Sequence, residues 1–65
     1  MIQNISSQDT YVVRHPVLRS GKPLETCRFD GDDLPTTQHF GFFEKGKIIG
    51  IKKYEKGELV SEIEM

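Results

Sequence analysis

Residues 28–33, RFDGDD, place three aspartates around one glycine in a stretch with neither helical nor strand periodicity. Asp30, Asp32 and Asp33 could bind a hard cation, contact a substrate, or form a solvated loop with aspartate-backbone turns. An EF-hand loop that began at Asp30 would need glycine at its sixth position and glutamate at its twelfth. Those positions hold Pro35 and Gly41. The spacing therefore argues against calcium and leaves a substrate contact or a solvated loop.

Four other side chains could carry chemistry. Arg14 falls on the apolar side of a predicted helix, where an unpaired charge is costly, so we expect a pair with a loop aspartate or, alternatively, a substrate contact. His15 and His39 have no cysteine or carboxylate at zinc-ligand spacing, and we predict no metal site. Cys27 has no neighbouring motif for nucleophilic catalysis and is expected to be a small packed group. The sequence therefore predicts no catalytic and no cofactor-binding residue, and names Arg14, Asp30, Asp32 and Asp33 as candidate substrate-binding residues.

A helix is predicted to position Arg14. The segment MIQNI is a short candidate strand that ends at Ser6 and Ser7, both good N-caps, and the pattern beyond them predicts a helix over residues 8–19. Its apolar residues share one broad arc: Tyr11, Val13, Val17 and Leu18. Gly21 lies just past the end as a stop signal. Pro16 predicts a kink or an early break, because proline removes a helical hydrogen bond and crowds the preceding turn.

The second half of the chain has the pattern of strands. Residues 20–37 form a long connection without period, and a connection of that length is usually functional or mobile. The similar segments FEKGKII and YEKGELV follow, each with a Lys-Gly turn signal. The predicted strands of an antiparallel meander are residues 38–44, 47–55 and 58–64. The predicted fold class is α+β: a short strand, one helix, a long loop and a three-stranded antiparallel meander, in a single small domain over residues 1–65.

Composition excludes several classes of protein. Nine basic against ten acidic residues give a nearly neutral chain, which disfavours binding to nucleic acid or to an anionic membrane. A single cysteine precludes an internal disulfide, and no apolar stretch has the length of a membrane span. We therefore expect a reduced, cytoplasmic protein.

The predicted sheet has surfaces that favour association. Phe40, Phe42 and Phe43 cannot all face one side of a strand, so at least one ring must point away from the face that the helix covers. Three or four strands also leave open edges. We expect either a homodimer or a complex with a complementing chain.

The order of these landmarks resembles a known family. VRHPVLRSGKPLETCRFDGDD followed by HFGFFEKGKIIGI is similar to the opening of the GNAT acetyltransferase superfamily, and the resemblance covers residues 2–52. It implies the acceptor-side portion of an N-acetyltransferase, in which a substrate amine attacks an acetyl thioester and the acidic loop lies where the amine is recognised.

The resemblance also implies acetyl-CoA as the cofactor of the complete domain. That family holds the cofactor pyrophosphate on a glycine-rich turn at the start of a helix after the fourth strand, because small residues and helix-terminal amides allow a close approach to phosphate. No such segment occurs in these 65 residues. We therefore expect a chain that is inactive alone and whose complementing partner carries the cofactor site. The alternative is a non-catalytic interaction module that pairs through its sheet edges.

Overall fold

The computed structural model describes all 65 residues and confirms the predicted α+β class. The strands are β1 (Ile2–Ile5), β2 (Thr37–Glu44), β3 (Lys47–Glu55) and β4 (Glu58–Glu64), and the helix is α1 (Tyr11–Leu18). Two 3-10 turns precede and follow α1, Gln8–Thr10 and Leu24–Cys27. The second turn lies inside the connection that was predicted to lack regular structure. Neither α1 nor the 3-10 turns form a helix that is long and apolar enough to cross a membrane.

The four strands form one antiparallel sheet in the order β1-β2-β3-β4. The predicted meander is confirmed. The strands β3 and β4 have the predicted bounds, and β2 differs only in beginning one residue earlier. Lys45 and Gly46 both have positive φ, 51° and 79°, as do Lys56 and Gly57, 51° and 81°. Such two-residue turns twist in the same sense as the strands they join, which explains why the two Lys-Gly pairs set the hairpins.

The 3-10 turn Gln8–Thr10 that leads into α1 begins with a reciprocal cap. The Ser6 amide donates to the Asp9 carboxylate at 3.2 Å, and the Asp9 amide donates to the Ser6 hydroxyl at 3.2 Å. Pro16 was predicted to kink the helix or to break it early, and the early break is wrong, because the helix continues through Pro16 to Leu18. The helix tolerates proline because Val12, whose carbonyl loses its amide donor, lies on the exposed side where water can replace that donor.

The core between α1 and the sheet is small. Val13, Cys27 and Ile51 are its buried apolar residues, whereas Val17 and Leu18 of the predicted apolar arc are each 43% exposed. Gly41 is buried on the helix side of β2, and a side chain there would meet Phe43, Ile48 and Ile5. More polar or charged residues than apolar side chains are buried, so an ionic cluster occupies much of the interior.

Candidate functional site

The centre of this cluster is the carboxylate of Asp32, in the middle of the acidic loop. Arg14 Nη1 lies 2.6 Å from one of its oxygens, and Nη2 donates to the other at 3.2 Å. Both side chains are almost entirely buried. The expectation that Arg14 pairs with a loop aspartate is therefore confirmed, and the pair ties the helix to the loop.

Each member of the pair is held by further contacts. Arg14 Nη1 also donates to the Cys27 carbonyl at 3.1 Å, and its guanidinium lies 4.3 Å from the centre of the Phe29 ring. The Phe29 amide donates to the Asp32 carboxylate at 3.0 Å. The loop backbone is thereby ordered around the buried charge pair.

Lys53 of β3 adds a second cation. Its Nζ lies 3.0 Å from the Asp32 carboxylate, 2.8 Å from the Asp30 carbonyl and 3.7 Å from the Glu55 carboxylate. A role for Lys53 was not predicted, although the sequence contains a signal for it. Lys52 and Lys53 are adjacent on a strand, so one of the two must point to the helix side of the sheet.

The electrostatics of the cluster favour the ionised carboxylate. Burial alone would raise the pKa of Asp32, but hydrogen bonds from Arg14, the Phe29 amide and Lys53, with the Arg14 charge, outweigh it and lower the pKa from 3.8 to about 2. The aspartate therefore remains charged throughout the neutral range, and its lone pairs are occupied by internal donors.

The remaining aspartates of the loop lie at the surface. Asp33 is exposed, where it pairs with Arg28 at 3.1 Å and accepts a hydrogen bond from the Ser7 hydroxyl at 3.1 Å. Asp30 is also exposed, and only its backbone carbonyl takes part in the cluster. Of the four candidate substrate-binding residues, the structure buries Arg14 and Asp32 together and leaves Asp30 and Asp33 accessible.

A polar groove runs from the acidic loop to the end of β1 and the start of β2. It has a volume of about 380 Å³, and its lining includes Asn4, Ser7, Asp33, Gln38 and His39. The Nε2 atom of His39 lies 3.1 Å from the Asp32 carbonyl, whereas Nδ1 is buried without a hydrogen-bond partner. Hydroxyl, amide and carboxylate groups line this surface, and their oxygens can accept hydrogen bonds from a ligand.

The described side chains include no cluster of three or more His, Cys, Asp or Glu residues arranged to hold a metal ion. His15 Nε2 instead lies 2.8 Å from the Lys22 carbonyl, and His39 contacts the loop backbone. Cys27 is a free, fully buried thiol. The two histidines therefore contact backbone carbonyls, and Cys27 packs in the interior.

The residues present do not fit the pyrophosphate of acetyl-CoA. The one α-helix continues directly from the 3-10 turn Gln8–Thr10, which Ser6 and Asp9 cap, so the Asp9 carboxylate lies at the N-terminal approach to the helix. The amides of Thr10 and Tyr11 already donate to the carbonyls of Ser7 and Gln8. An anionic phosphate would meet that negative charge and find amides already engaged. The glycines with positive φ lie in loops and hairpin turns, at Gly21, Gly31, Gly46 and Gly57.

Comparison with known proteins gives one informative similarity. No protein-family model matches the chain. Over 53 residues, or 82% of its length, the sequence is 34% identical to the uncharacterized N-acetyltransferase YitI of Bacillus subtilis (strain 168). The matched segment covers 36% of that relative, so the chain spans about a third of the length of the protein it resembles.

Proposed function

We propose that this chain is the acceptor-side portion of a GNAT-type N-acetyltransferase: it recognises an amine and does not itself hold acetyl-CoA. The similarity to a protein named as an N-acetyltransferase, extending over 82% of the chain, carries this proposal. The strand order, the helix on one face and the acidic loop before β2 support it.

The acidic loop is the proposed recognition element. Arg14 and Lys53 neutralise Asp32 inside the protein, so this aspartate and Arg14 position the loop and do not contact the ligand. Asp30 and Asp33 present their carboxylates to solvent, Asp33 beside the polar groove. An amine is cationic at neutral pH, and these two carboxylates attract it.

Transfer of the acetyl group requires a second component. The advantage of holding a thioester beside an amine depends on fixing both reactants, and the capped helix of this chain provides no phosphate site. In this proposal the cofactor site therefore lies outside these 65 residues.

Titration of the purified chain with acetyl-CoA tests the cofactor part of the proposal. We expect no micromolar binding and, in a thiol-release assay with a panel of amines, no turnover above the buffer rate. Micromolar binding with turnover would show that the chain is a complete small enzyme.

Amine recognition is tested separately by following backbone amide resonances during titration with spermidine. We expect the largest shifts in residues 28–34, and weaker binding in Asp30→Asn and Asp33→Asn. Glu44→Gln is the matched control, since it removes an exposed carboxylate at the end of β2 that lies opposite the acidic loop. An equal loss of spermidine binding in all three variants would show that binding depends only on the net charge of the chain. That result would contradict a specific amine site at the acidic loop.

The second candidate is a non-catalytic interaction module. The observation that favours it is that β1 and β4 each pair on one side only, which leaves two open edges. The reading frame directly downstream of the gene discriminates the two candidates, because a glycine-rich cofactor motif there favours the split enzyme.

A further inference from the structure

The sheet face opposite α1, here called the outer face, carries a continuous apolar band. Phe40 and Tyr54 meet edge to face, with ring centres 5.5 Å apart. The strand register places Ile2 beside Phe42 and Leu59 beside Tyr54. The apolar band therefore consists of Ile2, Phe42, Phe40, Tyr54 and Leu59, and its end members Ile2 and Leu59 are 62% and 49% exposed.

The apolar band crosses the sheet diagonally. It begins on β1 at the level of Phe42, passes along β2 to Phe40, and ends on β3 and β4 two residue pairs further on. At a spacing of about 4.8 Å, four strands span roughly 14 Å. A helix of about three to four turns is long enough to follow this diagonal and is the usual cover for an apolar sheet face.

The two corners of the outer face beside the apolar band differ in charge. One corner carries the neutral amides Asn4 and Gln38. The other carries Lys52, Glu62 and Glu64, in which Lys52 pairs with Glu62 at 3.0 Å and Glu64 has no ion-pair partner. One lysine against two glutamates leaves this second corner, the acidic corner, with a net negative charge.

We propose that the outer face binds an amphipathic helix of a second polypeptide, whose apolar stripe covers the apolar band and whose Lys or Arg side chains lie opposite Glu64. The proposal rests on the outer face alone and does not depend on amine recognition by the acidic loop. The diagonal shape of the apolar band indicates a helix, and the negative charge beside the band indicates basic side chains on that helix.

The acidic corner also distinguishes this occupant from a second copy of the chain. Face-to-face stacking of two copies would remove both Lys52–Glu62 pairs from water. The free-energy cost of desolvating these charges exceeds the small stabilisation that such an ion pair provides. Pairing through β4 would align Glu58, Glu62 and Glu64 with the same acidic strand. Lys52 Nζ lies 5.0 Å from the centre of the Phe42 ring, so a helix along the diagonal contacts the Lys52 end of the pair. It is narrower than a second copy of the sheet and leaves the half-exposed Glu62 carboxylate in contact with water.

The experiment uses two synthetic helical peptides of about fourteen residues with the same leucine stripe, one flanked by lysines and one by glutamates. Backbone amide resonances of the full chain are followed during titration. We expect the lysine peptide to shift residues of the apolar band and to bind about two- to fivefold more tightly than the glutamate peptide, as one exposed charge contact allows.

Two variants and a control complete the test. Glu64→Arg changes an exposed side chain, so it preserves the fold and should reverse the preference between the peptides. Phe42→Ser should weaken both by about tenfold or more, as expected for a central aromatic contact. Val12→Ser, on the exposed side of α1, removes an apolar group outside the apolar band and should change neither affinity.

Several outcomes would overturn the proposal. Resonance shifts confined to α1 would show that the peptides bind away from the outer face. An unchanged preference for the lysine peptide in Glu64→Arg would show that Glu64 does not contact it. Apolar-band resonances that move on dilution of the chain alone, with the mass of a dimer, would show that a second copy covers the outer face. Absence of binding by both peptides to the folded chain would remove the helix as its occupant.

Discussion

The guanidinium of Arg14 and the carboxylate of Asp32 lie 2.6 Å apart with both side chains almost completely buried. The pair joins α1 to a loop that contains little regular structure. With Lys53 it forms an interior in which charge takes the place of apolar packing. Because buried charges are costly unless every partner is present, the loop has few alternative conformations that satisfy them.

Removal of Arg14 is expected to be severe. Arg14→Met leaves Asp32 with Lys53 as its only cationic partner and deprives the Cys27 carbonyl of its donor, so the free energy of unfolding should fall by about 3 kcal/mol. That is a large part of the roughly 3–10 kcal/mol expected for a chain of this size. Urea denaturation followed by circular dichroism measures the loss.

Two further variants calibrate that result. Lys53→Met keeps the Arg14 pair and should cost about 1–2 kcal/mol. Arg28→Met removes an ion pair whose side chains are 70% and 61% exposed, and should cost less than about 1 kcal/mol. If Arg28→Met proved as damaging as Arg14→Met, burial would not be the reason for the effect.

Acid is expected to destabilise the protein through Asp32. Its folded-state pKa of about 2 lies below the ordinary value of 3.8, so the carboxylate contributes stability that is complete well above pH 3.8 and is lost as the pH falls through 2. The difference corresponds to roughly 2 kcal/mol. Denaturation midpoints measured from pH 6 to pH 2 should show the decline.

The control for this pH dependence is Asp33→Asn, which changes an exposed neighbour of Asp32. It should retain the decline between pH 4 and pH 2. Loss of the decline in this variant would contradict Asp32 as its cause.

The sequence predicted the sheet well because its signals are local. Alternating side chains and two Lys-Gly turns define strands without reference to the rest of the chain, and an outward-facing aromatic is confirmed by Phe40 and Phe42. Pairing of Arg14 was also predictable, since a charge on an apolar helix side requires a partner. The choice of Asp32 over Asp30 and Asp33 was not, because it depends on where the folded loop meets Lys53.

The errors have a common physical cause. Pro16 was expected to kink the helix or to break it early, and Val17 and Leu18 were placed with Val13 on one apolar arc, because the helix was considered in isolation. In the structure the covered side of α1 is centred on Val13 and Arg14, and the last turn lies at the surface. Packing of the acidic loop against Arg14 determines which side of the helix is buried, and no local pattern encodes that contact.

The first hairpin turn offers a stabilising substitution. Lys45 has φ of 51°, a conformation that lysine adopts at a cost and asparagine tolerates better. Lys45→Asn should therefore raise the free energy of unfolding by about 0.5 kcal/mol, and Lys45→Val should lower it by about 1 kcal/mol. Thermal denaturation of the two variants measures both changes, and a stabilising valine would contradict the assigned turn.

The thiol of Cys27 provides a direct measure of how often the interior opens. It is fully buried and its carbonyl accepts a hydrogen bond from Arg14, so a thiol reagent should reach it only after the contacts of the ionic cluster break. If Arg14→Met costs about 3 kcal/mol, labelling of Cys27 under native conditions should accelerate about a hundredfold. Arg28→Met should change the labelling rate by only a few-fold at most. Equal acceleration in the two variants would mean that the segment around Cys27 opens locally while Arg14 and Asp32 remain paired.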